Sequence, residues 1–330
     1  MIVTVTPNPS VDRTLAITAL ERGQVLRATD RAQVDPGGKG INVVRALRAA
    51  GVDATAVVPV GGAEGEQLVG LLAERGITPV RVPIRGAVRA NVSLVEPDGT
   101  VTKVNEEGPA LDGDEVDALL GAAESAVAGA AWLVGSGSLP PGVGDRFWAD
   151  LITRGHAAGA RVAIDTSGAG LGTAIDAGPD LIKPNLDELA EAVAAPLPSL
   201  AQAITAAEQL RRRGVGTVLA SLGADGALLV GDGVRLFAHA PVDRPVSSVG
   251  AGDSLLAGYL AALDRDGAGP AEALRLAVAY GAAAVQLPGS SLPRPADLRP
   301  DDVVVEEDPD PGRPLRSWVM ADSGARIAAG

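Results

Sequence analysis

The chain has 330 residues, of which 46% are hydrophobic and 21% charged, values typical of a soluble globular protein. Its formal net charge of −13 argues against general nucleic-acid binding, which needs a basic surface. The absence of cysteine excludes disulfides and thiolate chemistry, and only two histidines are present, which argues against a multi-histidine metal site. The sequence shows no signal-peptide pattern and no apolar run of about 18 residues, so we expect a cytoplasmic protein without a membrane partner.

Short apolar runs alternate with Ala-rich helical segments along the whole chain. The predicted strands span residues 2–6, 54–60, 131–135, 161–165, 181–183 and 217–221. The predicted helices begin near Gly40, Glu64, Asp114, Gly144, Asn185, Ser199, Ala251 and Gly269. Strands that helices cover on both faces read as continuous Val, Ile and Leu runs, as these do. We therefore predict an α/β fold with a mostly parallel central sheet and helices on both faces.

Some extended segments do not fit between the helical units. Residues 15–18 and 27–34 look extended, and residues 91–96 and 100–105 flank the turn signal Pro97-Asp98-Gly99. They predict a small separate β-sheet, within about residues 11–35 and 86–106, that can act as a lid. The alternative is an ordinary edge hairpin.

Two features mark the C-terminal part of the chain. A hairpin at residues 226–230 and 234–238, around Asp232-Gly233, predicts an extension of the far edge of the main sheet. From Asp301 the sequence becomes acidic and rich in Pro and Gly. We therefore expect one domain over residues 1–300 and a poorly ordered tail over residues 301–330.

The strongest local signal is the Gly-rich segment SSVGAGDS, residues 247–254, which precedes an apolar helix. Glycines before a helix let backbone N–H groups converge at its positive N-terminal end, which favours an anion. Asp253 is unusual beside a bound phosphate, unless it takes a proton next to a transferring phosphoryl group. The alternative is an ordinary helix start, where Asp and Ser are common.

A second Gly-rich helix start, PGGKGIN at residues 36–42, carries Lys39 and Asn42. It lacks the spacing of a P-loop, so a Walker-type ATPase is not supported. Its glycines allow a polyhydroxylated or phosphorylated ligand to approach the backbone closely. The alternative is a tight strand-to-helix turn without a ligand.

Two further motifs suit a nucleotide and its metal. Asn185 and Glu188 lie three residues apart on one helix face, and an amide oxygen with a carboxylate suits a hydrated Mg²⁺. The same pair also fits a helix capping box. The turn SLGADG, residues 221–226, suits nucleotide phosphates, or it is a plain hairpin connection.

In their order and spacing these motifs resemble the ribokinase-type (phosphofructokinase B-like) family of carbohydrate kinases. The resemblance covers residues 1–300, from TPNPSVD through GGKGINVVRAL, GSGSLPPG, LIKPNLDEL and SLGADGALL to VSSVGAGDSLLAGYL. It is strongest to the phosphosugar branch, especially the 1-phosphofructokinases. It implies a ribokinase-like three-layer fold and phosphorylation of fructose 1-phosphate by ATP to fructose 1,6-bisphosphate. Alternatives are a tagatose-6-phosphate kinase, a 6-phosphofructokinase or a non-catalytic sugar-phosphate-binding protein.

The resemblance also implies roles for individual residues, ATP and Mg²⁺ as cofactors, and a homodimer formed through the lid. Asp253 would be the catalytic base, and the anion hole would be formed by Gly250, Ala251 and Gly252. The sugar phosphate would be bound by Asp12, Gly38, Lys39, Asn42, Arg89, Lys103 and Ser138. ATP would be bound by Lys183, Asn185, Ser221, Gly223, Ala224, Asp225 and Gly226. Asn185 and Glu188 would organise the Mg²⁺.

Overall fold

The computed structural model describes residues 1–264 and 268–316, and these ranges contain fourteen β-strands and nine α-helices. The strands are β1 (Ile2–Val5), β2 (Ser10–Ala16), β3 (Gln33–Gly37), β4 (Ala54–Val60), β5 (Val80–Pro83), β6 (Arg89–Val95), β7 (Val101–Asn105), β8 (Trp132–Ser136), β9 (Arg161–Asp165), β10 (Leu181–Ile182), β11 (Thr217–Ser221), β12 (Ala227–Gly231), β13 (Val234–His239) and β14 (Val304–Glu306). The helices are α1 (Lys39–Ala49), α2 (Gly62–Ala73), α3 (Gly113–Val127), α4 (Arg146–Ala157), α5 (Gly168–Asp176), α6 (Leu186–Val193), α7 (Leu200–Arg212), α8 (Ala251–Asp264) and α9 (Pro270–Ala284).

The main sheet has ten strands in the order β14-β13-β12-β11-β10-β9-β8-β1-β4-β5. From β11 to β5 in this order, each strand runs parallel to its neighbour, and helical crossovers connect these strands. From β11 to β14, each strand runs antiparallel to its neighbour. One apolar core lies between the sheet and α1, α2, α8 and α9, and a second lies between the sheet and α3 to α7. The predicted three-layer arrangement is therefore confirmed. No helix in the described ranges is long and apolar enough to cross a membrane.

A separate four-stranded sheet, in the order β3-β2-β6-β7, forms the predicted lid. β2 pairs with β6 in parallel, and β6 and β7 form the predicted hairpin. The prediction of an extended segment over residues 27–34 is wrong except at its end, since β3 begins at Gln33. Side chains between Thr18 and Gln33 are almost all exposed, so this segment has no apolar face to pack against a sheet.

Helix α5 and strand β5 have no counterpart in the sequence prediction. Helix α5 has the sequence GAGLGTAID, whose three glycines lower its helix propensity, and buried Leu171 and Ile175 hold it against the core. Strand β5 has four residues and ends in Pro83, which is tolerated because β5 lies at the edge of the sheet.

The prediction of a poorly ordered tail is wrong for residues 301–316. Strand β14 pairs with β13, and Leu315 is fully buried while its N–H donates to the Pro198 carbonyl oxygen. The Arg313 guanidinium lies 4.6 Å from the centre of the Phe237 ring. The acidic composition of this segment suggests disorder, and the contacts of its few anchoring residues are with parts of the chain that are distant in sequence. Residues 317–330 lie outside the described residues.

Candidate active site

The candidate site lies where the carboxyl ends of the parallel strands meet the N-termini of α1 and α8. In sheets of this kind, ligands bind at the carboxyl ends of the strands. Lys39 and Asn42 come from α1, Lys183 directly follows β10, and Asp253 lies in the first turn of α8. The structure therefore brings together four predicted residues from three distant parts of the sequence.

Asp253 occupies a buried position that perturbs its acidity. Its carboxylate oxygen Oδ2 accepts a hydrogen bond of 2.9 Å from the Asn42 Nδ2 amide group. Burial, together with repulsion from the Asp165 carboxylate, raises the pKa of Asp253 to about 6. The group is thus ionised at neutral pH and its pKa lies close to the range that suits a general base.

Asp165, the last residue of β9, is a central site residue that the sequence analysis did not single out. Its Oδ1 lies 2.9 Å from Lys39 Nζ, and its Oδ2 lies 3.3 Å from Lys183 Nζ. Complete burial pushes the pKa of Asp165 upward, but the ammonium groups of Lys183 and Lys39 outweigh that effect and lower the pKa below its usual value. An aspartate at the carboxyl end of a buried strand was the available signal.

The predicted anion hole lies at the start of α8 beside a lysine. The backbone at Gly250 is left-handed, with φ of 75°, and the chain then enters the helix at Ala251. A Cβ atom added at Gly252 would lie 3.1 Å from Lys183 Nζ. The ammonium group is therefore adjacent to the N-terminal turn, and the two together favour an anion at this point.

Asp12 and Gly38 lie between the lid and the start of α1. Asp12 Oδ1 accepts hydrogen bonds from Ser10 Oγ at 2.7 Å and from Asn91 Nδ2 at 2.9 Å, so two lid strands fix the carboxylate. Gly38 has φ of 125°, and a Cβ there would lie 2.7 Å from the Thr6 methyl group. Only glycine fits this turn without strain.

Arg89 and Ser138 both contact Asn8. The Arg89 guanidinium donates to the carbonyl oxygens of Glu106 at 2.9 Å and Asn8 at 3.1 Å. Asn8 Nδ2 in turn lies 3.3 Å from Ser138 Oγ. Lys103 is different: it lies exposed on β7, and β6 separates this strand from Asp12 on β2. The structure therefore does not bring Lys103 into the group around Asp12.

The predicted nucleotide turn follows β11 and adjoins the residues after β10. The Ser221 N–H donates to the Pro184 carbonyl oxygen at 2.9 Å, and Ser221 forms an isolated parallel β-bridge with Asn185. Gly223 and Ala224 are exposed at the tip of the turn, whereas Gly226 packs against the Ala238 carbonyl oxygen. The exposed backbone of the tip is the part of the turn that is open to a ligand.

Asp225 has a different environment within the same turn. Its carboxylate is buried, and Arg316 Nε lies 3.0 Å from Asp225 Oδ1. This ion pair joins the C-terminal segment to the nucleotide turn. The geometry therefore gives Asp225 a part in holding the turn.

Asn185 and Glu188 form the capping box that the sequence offered as the alternative to a metal site. Asn185 Oδ1 accepts from the Glu188 N–H, and Glu188 Oε2 accepts from the Asn185 N–H, both at 2.8 Å. A carboxylate oxygen pair has about four acceptor positions, so one amide bond leaves capacity for metal-bound water. The donor set therefore fits a hydrated Mg²⁺ while it also caps α6.

The Glu188 carboxylate also affects the pKa of Lys39, in the centre of the site. Asp165 contributes most to raising the pKa of Lys39, and the Asp253 and Glu188 carboxylates add to this effect against the opposing effect of burial. Within the described ranges, no three acidic or histidine side chains gather in the manner of a protein-built metal cage. A metal that keeps most of its water fits such a site better than a fully dehydrated one.

Comparison with known proteins assigns this arrangement to a family. The model of the pfkB family carbohydrate kinases matches residues 6–297. The 1-phosphofructokinase of Haloferax volcanii is 38% identical over 306 residues, which cover 93% of this chain and 98% of the relative. The structure of phosphofructokinase-2 from Escherichia coli in complex with substrates and products superimposes with a TM-score of 0.83 at 35% identity, covering 90% of this chain and 96% of that one.

The fold is shared more widely than the sequence. Arabidopsis thaliana ribokinase, solved with ribose and ATP, superimposes with a TM-score of 0.72 at 23% identity over 90% of this chain and 96% of that one. The predicted ribokinase-like fold is thus confirmed. With the family model matching nearly all of the main body and the lid, the chain belongs to the pfkB family of carbohydrate kinases.

Proposed function

We propose that the protein is an ATP-dependent 1-phosphofructokinase, which converts fructose 1-phosphate to fructose 1,6-bisphosphate. The observation that carries this proposal is Asp253, a buried carboxylate with a raised pKa at a glycine-rich helix N-terminus and close to two lysines. A protein that only bound sugar phosphates would not need such a base. The relatives named 1-phosphofructokinase support the choice of acceptor.

In the proposed reaction the 6-hydroxyl oxygen of the sugar attacks the γ-phosphorus of ATP. The new P–O bond forms as the bond to the bridging oxygen of ADP breaks, and the hydroxyl proton passes to the Asp253 carboxylate. The backbone N–H groups of residues 250–252 and the Lys183 ammonium stabilise the charge on the transferring group. Bound Mg²⁺ would neutralise phosphate charge, with Asn185 and Glu188 holding its water.

The charge of the protein makes placed cations necessary. ATP and a sugar phosphate are both strongly anionic, whereas the chain has a net charge of −13. Local positive potential must therefore come from helix N-termini and from individual side chains. Lys39 and Lys183 supply it at the centre, and we assign Arg89 to the end of the sugar that carries the existing phosphate.

The lid also supports a proposed homodimer. Its apolar side chains Val101 and Val104 are 48% and 60% exposed, and Val25 in the preceding loop is 82% exposed. Burying these side chains against a second lid would remove apolar surface from water.

A kinase that consumes ATP and a sugar phosphate works where both are made, so we propose a cytoplasmic location.

A panel of acceptors tests the function directly. The purified protein is assayed for ADP release with ATP, Mg²⁺ and each of fructose 1-phosphate, fructose 6-phosphate, tagatose 6-phosphate and fructose. We expect the highest kcat/KM with fructose 1-phosphate. A higher value with another acceptor contradicts the substrate assignment, and no turnover with any of them favours a binding protein.

A further inference from the structure

Arg45 lies one helical turn after Asn42 on α1 and contacts it. Arg45 NH1 donates a hydrogen bond of 3.1 Å to Asn42 Oδ1, and the opposite end of the same amide donates to Asp253 Oδ2 at 2.9 Å. Asn42 is buried and Arg45 half-buried. A chain of hydrogen bonds therefore runs from a guanidinium through an amide to the buried carboxylate of Asp253.

The two ends of the Asn42 amide are not equivalent. The oxygen only accepts hydrogen bonds and the NH₂ group only donates them, so a flipped amide would present its oxygen to the Asp253 carboxylate. Two facing acceptors repel each other, and Asp253 would lose a donor that favours its ionised form. Arginine cannot accept a hydrogen bond, so the Arg45 contact holds the amide oxygen on the side away from Asp253.

We infer that Arg45 is a positioning residue, which fixes the orientation of the Asn42 amide and so keeps the proton acceptor of the phosphoryl transfer in its ionised state. This inference rests on the proposed function for its catalytic meaning. Its structural content concerns the free enzyme alone, where the hydrogen-bond chain is already complete.

Arg45 is linked to Asp253 by hydrogen bonds through the Asn42 amide. The groups that shift the pKa of Asp253 are Asp165, Lys39, Lys183 and the hydrogen bond from Asn42, with burial as the largest effect. The charged groups that act on Arg45 itself are Arg75, Asp35 and Asp12. Asp253 is not among these groups, and the hydrogen bonds that connect it to Arg45 pass through Asn42.

Two substitutions and a control test the inference. Arg45→Met keeps a long side chain but removes the donor, whereas Arg45→Lys keeps a donor for Asn42. Arg75→Met removes a neighbouring guanidinium that bonds to Asp35 and not to Asn42. For each variant, kcat/KM for fructose 1-phosphate is measured from pH 5 to 8 with saturating ATP. The carboxyl carbon of Asp253 is titrated by NMR without substrate, with Asp253→Asn identifying its signal.

We expect Arg45→Met to move both the acidic limb of kcat/KM and the Asp253 titration to higher pH by about half a unit to one unit. Arg45→Lys and Arg75→Met should leave both close to wild type. An unchanged Asp253 titration in Arg45→Met overturns the inference, and so does a titration that shifts equally in Arg75→Met. The proposed function fails separately if the wild-type enzyme shows no turnover. The Asp253 titration can still be compared between wild type and Arg45→Met in that case.

Discussion

The ammonium group of Lys39 and the carboxylate of Asp165 lie 2.9 Å apart, although 126 residues separate them in the chain. With Lys183 on its other oxygen, the buried Asp165 carboxylate holds two cations beside Asp253. Burial is the main cause of the raised pKa of Asp253, and repulsion from the Asp165 carboxylate adds to it. One buried aspartate therefore both places the cations and contributes to the raised pKa of its neighbour.

Replacing the base should abolish most turnover. We expect Asp253→Asn to lower kcat by about 10²–10⁴-fold, since this is the usual size of general-base catalysis, while ATP binding persists. Asp264→Asn, at the other end of α8, is a matched control that should retain activity. Steady-state kinetics and nucleotide titration measure the two quantities. A variant with more than about a tenth of wild-type kcat would contradict the assignment.

The activity should depend on pH through the same carboxylate. Because the pKa of Asp253 is about 6, the base is ionised above this pH and protonated below it. We expect kcat/KM to be level near pH 7–8 and to fall by about tenfold per unit well below pH 6. Asp165 raises this pKa, so Asp165→Asn should move the fall to lower pH. A profile without an acidic limb would exclude Asp253 as the base.

The raised pKa also makes Asp253 costly for stability at neutral pH. The carboxyl group binds its proton more tightly in the folded state, with a pKa of about 6, than at its ordinary value of 3.8. Its contribution to stability is therefore complete below about pH 4 and is lost as the pH rises through 6. We expect Asp253→Asn to increase the free energy of unfolding at pH 8 by on the order of 1–3 kcal/mol. Urea denaturation at pH 8 and pH 4.5 should show a gain that shrinks in acid; a loss at pH 8 would refute this account.

Glu188 has a structural and a proposed metal role, which a matched pair of substitutions separates. Gln also serves as the third residue of a capping box, so Glu188→Gln keeps the cap and removes the charge. Glu115→Gln makes the same change in the capping box of α3, where Glu115 Oε1 also accepts from the Arg85 N–H. We expect both variants to lose less than about 1 kcal/mol of stability. Only Glu188→Gln should need more Mg²⁺ for half-maximal activity, and equal Mg²⁺ curves would leave Glu188 as a cap alone.

The C-terminal segment should contribute measurably to stability. Leu315 is completely buried, so Leu315→Ala removes apolar contacts and leaves a cavity. We expect the free energy of unfolding to fall by about 2–4 kcal/mol. Val304→Ala is the control, because Val304 is 51% exposed and should cost little. Equal, small effects of the two substitutions would mean that the segment does not pack on the body in solution.

The fold was predictable where local patterns and tertiary structure agree. Strands β1, β4 and β9 are short and largely apolar, and the turn at Pro97-Asp98-Gly99 marks the lid hairpin. The prediction missed α5, whose glycines weaken its helical signal while Leu171 and Ile175 pack against the core. It also predicted disorder after Asp301, because the acidic composition of this segment outweighs the signal of single buried residues such as Leu315.

The site was predictable to the extent that glycine-rich helix starts mark it. Asp253 and Lys39 lie in such motifs, Lys183 lies in the KPN motif that follows a strand, and the structure brings the three together. Asp165 and Arg45 lie in an ordinary strand and an ordinary helix, and their importance comes from contacts with residues distant in sequence or one turn away. The choice between a cap and a metal site at Asn185 also depended on geometry, which shows the cap, while the metal role stays a prediction.

The interior position of β1 in the main sheet has a consequence for the order in which the chain assembles. One of the two neighbours of β1, β8, follows it by more than a hundred residues in the chain. Until then one edge of the apolar segment Ile2–Val5 has no partner, and open apolar edges favour association between chains. We expect refolding yields to fall as protein concentration rises, and Val3→Lys to abolish folding because its side chain would be buried in the core. Light scattering during refolding would reveal this early association, and yields independent of concentration would exclude it.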